Sequence, residues 1–127
     1  MRYLLDTHAF LWWIADDPRL TERVRAILRD GHQEVFFSAA SAWEIAIKTR
    51  LGRLEFDEDV AEYIPRQLLA NGFSPLPVEV RHALRVHSLP LLHRDPFDLL
   101  VAQALLEGLP ILTADPALAQ YPVAALW

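Results

Sequence analysis

Four acidic residues of this chain have the types and the spacing to do chemistry: Asp6, Glu44, Asp98 and Asp115. Each stands at a strand end or a helix start, in Leu4-Leu5-Asp6-Thr7-His8, Ser41-Ala42-Trp43-Glu44, Asp95-Pro96-Phe97-Asp98 and Thr113-Ala114-Asp115-Pro116. In a parallel α/β fold the C-terminal ends of strands and the N-terminal ends of helices share one edge of the sheet. Carboxylates gathered there repel one another, by about 4 kcal/mol per pair 4 Å apart at an effective dielectric near 20. Hard divalent cations relieve that repulsion, and two cations in a carboxylate cage can hydrolyse phosphodiesters. All-oxygen ligand sets of this kind select Mg²⁺ or Mn²⁺ over zinc or copper.

Taken singly, each position also has a purely structural explanation. Asp6 follows an apolar run and fits a helix N-cap. Ser41-x-x-Glu44 matches a capping box, in which the glutamate bonds back to the cap amide. Asp95, Pro96 and Asp98 together make a complete helix start, and Asp115-Pro116 repeats the cap-plus-proline pattern. Taken jointly, acids at four starts exceed what capping requires, since Ser, Thr and Asn serve as well. Spacing alone leaves capping and metal binding both open, and the two are compatible.

The elements that must position these acids alternate between strand and helix. Arg2–Leu5 is a short apolar run suited to a buried strand, and Thr7 to Ala15 reads as a helix ending before Asp17-Pro18. A second helix opens at Thr21 and Glu22, carries Val24, Ile27 and Leu28 on one face, and ends near Gly31. Glu34–Phe37 is the second strand, and a helix from the Ser38 to Ser41 region runs to Gly52. Asp57 to Leu69 is a fourth helical pattern with Pro65 inside it, closed by Asn71-Gly72. Phe73–Val78, with two prolines, is an edge strand at most. Val80, Ala83 and Leu84, at i, i+3 and i+4, predict another short helix before Pro90. Pro96–Glu107 is the clearest helix. Leu109–Leu112 is a strand, Pro116–Gln120 a helical turn and Val123–Leu126 a last strand. The alternation predicts one α/β domain over residues 1–127 with a mostly parallel sheet.

Composition narrows the function classes. Net charge is −5 and the isoelectric point about 5.4, which argues against a general nucleic-acid coat protein but not against a nuclease whose metal ions face the phosphate. The chain has no Cys, which excludes disulfides, thiolate zinc sites and cysteine catalysis. Hydrophobic residues make up 53% of it, with a mean hydropathy of +0.14. Such a chain is expected to cover apolar surface in a dimer or a partner complex as well as in its own core. Asp6 and His8 interrupt the first apolar stretch and no cleavage site follows, so a signal peptide is not expected. No run of 18 apolar residues predicts a membrane span, and a cytoplasmic location is the default expectation.

The wording of the motifs adds a resemblance. Tyr3-Leu4-Leu5-Asp6-Thr7-His8-Ala9-Phe10-Leu11-Trp12 resembles the opening of PIN-domain ribonucleases, specifically the VapC-like toxins of bacterial toxin–antitoxin pairs. Ser38-Ala39-Ala40-Ser41-Ala42-Trp43-Glu44-Ile45-Ala46-Ile47-Lys48 resembles the second acidic motif of that family. His93-Arg94-Asp95-Pro96-Phe97-Asp98-Leu99-Leu100-Val101-Ala102-Gln103-Ala104 resembles the third, and Leu112-Thr113-Ala114-Asp115 the fourth. The ordered set spans essentially the whole chain.

The resemblance implies a PIN-like three-layer α/β/α domain with a mostly parallel central sheet. It implies a Mg²⁺- or Mn²⁺-dependent endoribonuclease, held in check by a cognate antitoxin and assembled as a homodimer. By motif position Asp6 and Asp98 would be the core metal ligands. Glu44 would bind metal or orient the attacking water, and Asp115 would complete a second, weaker site. Products with 5′-phosphate and 3′-hydroxyl ends are implied as well.

Other residues carry weaker expectations. Thr7 and Thr113 flank proposed ligands and would orient them or cap a helix. Asp95 reads as a cap before it reads as a ligand. Arg94, just before the third motif, is the expected RNA contact among few basic residues. The five histidines show no recognised metal spacing and are expected at the surface or at hinges. The sole lysine, Lys48, reads as a solvated charge or an antitoxin contact. The helix carrying Trp12 and Trp13 is apolar all round, so one of the two is expected to be partly exposed in a monomer. Two alternatives stand beside the ribonuclease. One is a non-catalytic α/β module binding metal or a partner. The other is a different metal phosphohydrolase, which four unclustered glycines and the missing phosphate cradle disfavour for nucleotides.

Overall fold

The structure, a computed structural model, describes residues 1–90 and 96–127. Its strands are β1 (Arg2–Leu5), β2 (Glu34–Ser38), β3 (Ser74–Leu76), β4 (Ile111–Leu112) and β5 (Ala125–Leu126). Its α-helices are α1 (Thr7–Ile14), α2 (Glu22–Arg29), α3 (Ala39–Arg50), α4 (Val60–Asn71), α5 (Val80–Arg85) and α6 (Pro96–Glu107), with 3₁₀ turns at Val86–Ser88 and Pro116–Gln120. The strands form one sheet in the order β3-β2-β1-β4-β5, and every pairing is parallel.

Strand residues alternate between two cores, as a period of two demands. Tyr3, Leu5, Val35, Phe37 and Leu112 face one layer, where Phe10, Val24, Leu28, Ile45, Ile64 and Leu68 come from α1 to α4. Leu4 and Ile111 face the other, against Leu100, Val101 and Ala104 of α6 and Leu118 beyond β4. Side chains buried on both faces explain why the strands are short continuous apolar runs. The result is the expected three-layer α/β/α arrangement.

The helix starts follow local chemistry. Thr21 accepts from the Val24 amide at 3.3 Å and opens α2. Asp59 accepts from the Ala61 amide at 3.0 Å, so α4 begins at Val60 rather than near Asp57. Gly72, at φ 69°, takes the left-handed position that ends α4.

Two local expectations are corrected. Ser38, not Ser41, caps α3, accepting from the Ala40 amide at 2.9 Å. Ser41 therefore lies inside the helix, and the capping box with Glu44 does not form. Helix α5 forms as expected, but His82 on it is not the surface or hinge residue anticipated for most of the histidines. Val80 and Leu84 are 76% and 65% exposed, while His82 is fully buried. His82 turns inward because its ring has partners there. Nδ1 accepts from the Glu79 amide at 2.9 Å, and Nε2 meets Glu107 Oε1 at 3.1 Å. A six-residue helix has too few apolar positions to set its own phase.

Candidate active site

The strand order reverses between β1 and β4, each of which has its next neighbour on the opposite side. Ligand sites of open parallel sheets lie at such a switch point, beyond the C-terminal strand ends. Asp6 follows β1 and Thr113 follows β4, in adjacent register. Leu5 pairs with Leu112, and the Asp6 amide donates to the Leu112 carbonyl at 3.1 Å.

Asp6 is the residue that capping explains least, the His8 amide of the first turn acting on its carboxylate only weakly. It occupies the N-cap position of α1, with φ −67° and ψ 149°, yet its side chain makes no capping hydrogen bond. Instead Oδ2 accepts from the Thr113 hydroxyl at 2.7 Å. The carboxyl is 6% exposed, and this burial pushes its pKa above the usual carboxylate range, with Glu44 adding to the rise. The Thr113 hydroxyl and His8 oppose it more weakly. A buried carboxylate facing a second one is short of positive charge.

Thr113 also accepts from the Asp115 amide at 3.1 Å, so one hydroxyl fixes two of the four acidic segments. Asp115 does cap its 3₁₀ turn, accepting from the Ala117 amide at 2.9 Å. Thr7 takes a different role from Thr113. Its hydroxyl donates to Ser41 Oγ at 2.7 Å, binding the start of α1 to the first turn of α3. That bond sets Glu44, one turn further on, beside Asp6.

Asp6, Glu44 and Asp115 line a single open cavity of about 400 Å³, together with Lys48, Arg19, His8, Trp12 and Phe97. Asp98 does not line it. Its side chain is buried, and Oδ1 accepts from the Tyr121 hydroxyl at 2.8 Å. Arg94 and Asp95 lie outside the described residues. Among the described residues, no three of the four acids bring carboxylate oxygens within 4.8 Å of one another. The group that does so is Glu79, His82 and Glu107. It lies at the far end of α6, nine residues and so about 14 Å along the axis from Asp98. Arg81 bridges both of its carboxylates and supplies its positive charge.

Hydrogen-bond donors hold each of the four acids apart. Thr113 holds Asp6, the Ala117 amide holds Asp115 and Tyr121 holds Asp98. Lys48 Nζ lies 2.6 Å from Glu44 Oε2, one helical turn along, with both side chains partly shielded. The donor set is carboxylate oxygen, and Asp6 is buried in the cavity that Glu44 and Asp115 also line, so the residues fit a hard divalent cation.

Residues the motifs did not single out complete the cavity. Arg19 donates to Asp17 through both Nε and Nη2, at 3.1 and 2.8 Å, and its guanidinium lies 4.6 Å from the centre of the Trp12 ring. The Asp17 carboxyl is thereby held down at about 2. Trp12 and Trp13 are both half-buried, and the Trp13 indole N–H donates to Asn71 at 2.9 Å. The Glu44–Lys48 pair was visible as an i,i+4 spacing. The Tyr121 contact had no local signal at all.

Comparison with known proteins fixes the family. The PIN domain family model matches residues 3–124. The chain belongs to the PIN domain family. This PIN domain is 45% identical to ribonuclease VapC16 of Mycobacterium tuberculosis over 69 residues, 51% of this chain and 49% of that protein. The chain thus spans about half the length of the curated relative it matches. Its fold superposes on VapBC2 from Rickettsia felis, solved with a DNA fragment from the promoter, with a TM-score of 0.73 at 12% identity. That likeness covers 99% of this chain and 98% of the other. FitAcB from Neisseria gonorrhoeae gives a TM-score of 0.62 at 23% identity over 100% and 97%. At such identities the two structures speak for the PIN fold.

Proposed function

We propose that this PIN domain, acting as a single domain over residues 1–127, is a metal-dependent endoribonuclease toxin. In this reading it is cytoplasmic, dimeric and restrained by a cognate antitoxin. The observation that carries it is Asp6, a buried carboxylate at the sheet's switch point that is held by Thr113 and shares a cavity with Glu44 and Asp115. The similarity to ribonuclease VapC16 supports RNA as the substrate, and the fold shared with VapBC2 and FitAcB supports a protein partner.

Asp6, Glu44 and Asp115 would hold Mg²⁺ or Mn²⁺ in the cavity they share, and Asp98, outside its lining, would have to turn toward them to join as a ligand. Bound there, the cations would polarise the scissile phosphate and a water, and offset charge on the leaving oxygen. The chain's own residues do the positioning. Thr113 holds Asp6 and the Asp115 backbone, and Tyr121 holds Asp98. Lys48 neutralises Glu44 until phosphate or cation arrives. Water attacks phosphorus in line and the 3′ oxygen leaves with a proton, giving 5′-phosphate and 3′-hydroxyl ends.

The test is cleavage of a labelled RNA pool by purified, antitoxin-free protein, with Mg²⁺, with Mn²⁺ and with chelator, beside the Asp6→Ala variant. Metal-dependent cleavage that the variant lacks is expected. Cleavage equal in chelator, or retained in the variant, overturns the reading. Mononucleotide phosphoesters in parallel separate it from a general phosphohydrolase.

A further inference from the structure

A second cleft of about 440 Å³ adjoins the acidic cavity, and His8, Trp12 and Arg19 line both. Its far wall holds Phe56 and Tyr63, whose rings lie 5.5 Å apart. Resting on the ribonuclease reading, we propose that the Trp12–Arg19 stack is the platform for a nucleobase next to the scissile phosphate. The RNA strand would pass from the carboxylates into this aromatic cleft.

Three observations converge on that occupant. First, Arg19 is two-thirds exposed at its side chain, where an arginine ordinarily samples many rotamers, yet it is held on two sides. Its guanidinium carbon sits over the Trp12 ring, 4.6 Å from the centre, and Asp17 holds its edge through two hydrogen bonds. Second, the loop bearing it is pinned. Arg25 donates to Asp16 at 2.6 Å, to the Asp17 carbonyl at 2.5 Å and to the Leu20 carbonyl at 3.2 Å. Asp16 takes a left-handed φ of 51° to allow this. A planar cation fixed in advance loses little entropy on binding.

Third, the chemistry matches a base better than a bare phosphate. Unstacked RNA bases are recognised by stacking on aromatic rings and on guanidinium planes. With its edge committed to Asp17 and its side chain two-thirds exposed, Arg19 has guanidinium surface left for stacking. In a chain of net charge −5, attraction for the phosphate backbone is weak, so base stacking must carry more of the substrate affinity.

The experiment first maps the bond that the unmodified protein cuts in an RNA pool, then places one abasic nucleotide at each flanking position in turn. In the parent protein, loss of one particular base is expected to raise KM about tenfold with kcat little changed. In Arg19→Ala, KM for intact RNA should rise similarly and the abasic substitution should add less than twofold. Arg19→Lys, which lacks the plane, should not rescue. Melting temperatures close to the parent's exclude a folding defect.

Equal penalties in parent and variant at every position would overturn the platform. So would an Arg19→Ala protein with unchanged KM that no longer binds the antitoxin, which would assign the cleft to the protein partner. Parent protein that cuts no RNA fails the ribonuclease reading itself, a result scored before any base is removed.

Discussion

Replacing Tyr121 by Phe removes the hydroxyl that reaches Asp98 and keeps the ring. The ring is 5% exposed and packs edge-on to Phe97 at 6.3 Å, contacts that Phe preserves. What goes is the 2.8 Å bond to the buried Asp98 carboxyl. A hydrogen bond to a charged group contributes about 1.5–3 kcal/mol, and its buried acceptor keeps the desolvation cost. Taking about 2 kcal/mol, an unfolding entropy of about 2.1 cal/mol/K per residue over 127 residues gives a fall in Tm of about 7 °C. Circular dichroism melts in chelator measure it. If Asp98 is a metal ligand, the same change weakens Mg²⁺ binding about 10- to 100-fold, since partners of a ligand fix its orientation. A melt in chelator that shifts by less than about 1 °C would refute the reasoning, because Asp98 would then have other partners of equal worth.

Three further outcomes are expected. Asp6→Asn keeps an acceptor for Thr113 and removes the buried charge. Because burial raises the Asp6 pKa, the folded parent binds its proton more tightly than the unfolded chain does. Its stability therefore declines as pH climbs from about 4 through the folded value. Metal-free, the variant should be the more stable at neutral pH and lose that advantage near pH 4, and melts at matched pH values decide. Lys48→Met should cost under about 1 kcal/mol, as a partly exposed pair implies, and should enlarge the Mg²⁺-induced rise in Tm by removing a competitor for Glu44. An unchanged rise would show that Glu44 takes no part in metal binding. Gln103→Leu should cost about 2–3 kcal/mol in urea titration, because Gln103 accepts from Ser38 at 2.5 Å and donates to the Pro77 carbonyl at 3.1 Å.

What the sequence made legible was whatever local chemistry encodes. Helix α6 was bounded correctly because proline is favoured at the first position of a helix and Gly108, at φ 67°, can end one. The acid at position 6 was legible as a position but not as an environment. Nothing near it in the chain announces that Thr113, 107 residues away, supplies its partner. The same holds for Tyr121 and Asp98. Arg19 was overlooked because Asp17-Pro18-Arg19 reads as a turn, and only the folded loop lays the guanidinium on Trp12. Lys48 was seen but read as solvated, since i,i+4 spacing does not tell a pair facing solvent from one facing a cavity.

The bond between Thr113 and Asp6 also sets when the site can exist. At synthesis rates of about 5–20 residues per second, Thr113 is made roughly 5–20 s after Asp6. Strand β1 lies between β2 and β4, so β1 and β2 can pair early while the β4 side of β1 stays open. Glu44 can join Asp6 in that interval; Asp98 is made before Thr113 but lacks its Tyr121 partner, and Asp115 and Tyr121 come later still. A nascent chain therefore carries the first two acids without the groups that fix the others. Any partner that fills the open β1 edge before β4 arrives would keep the chain folded on one side and chemically silent on the other.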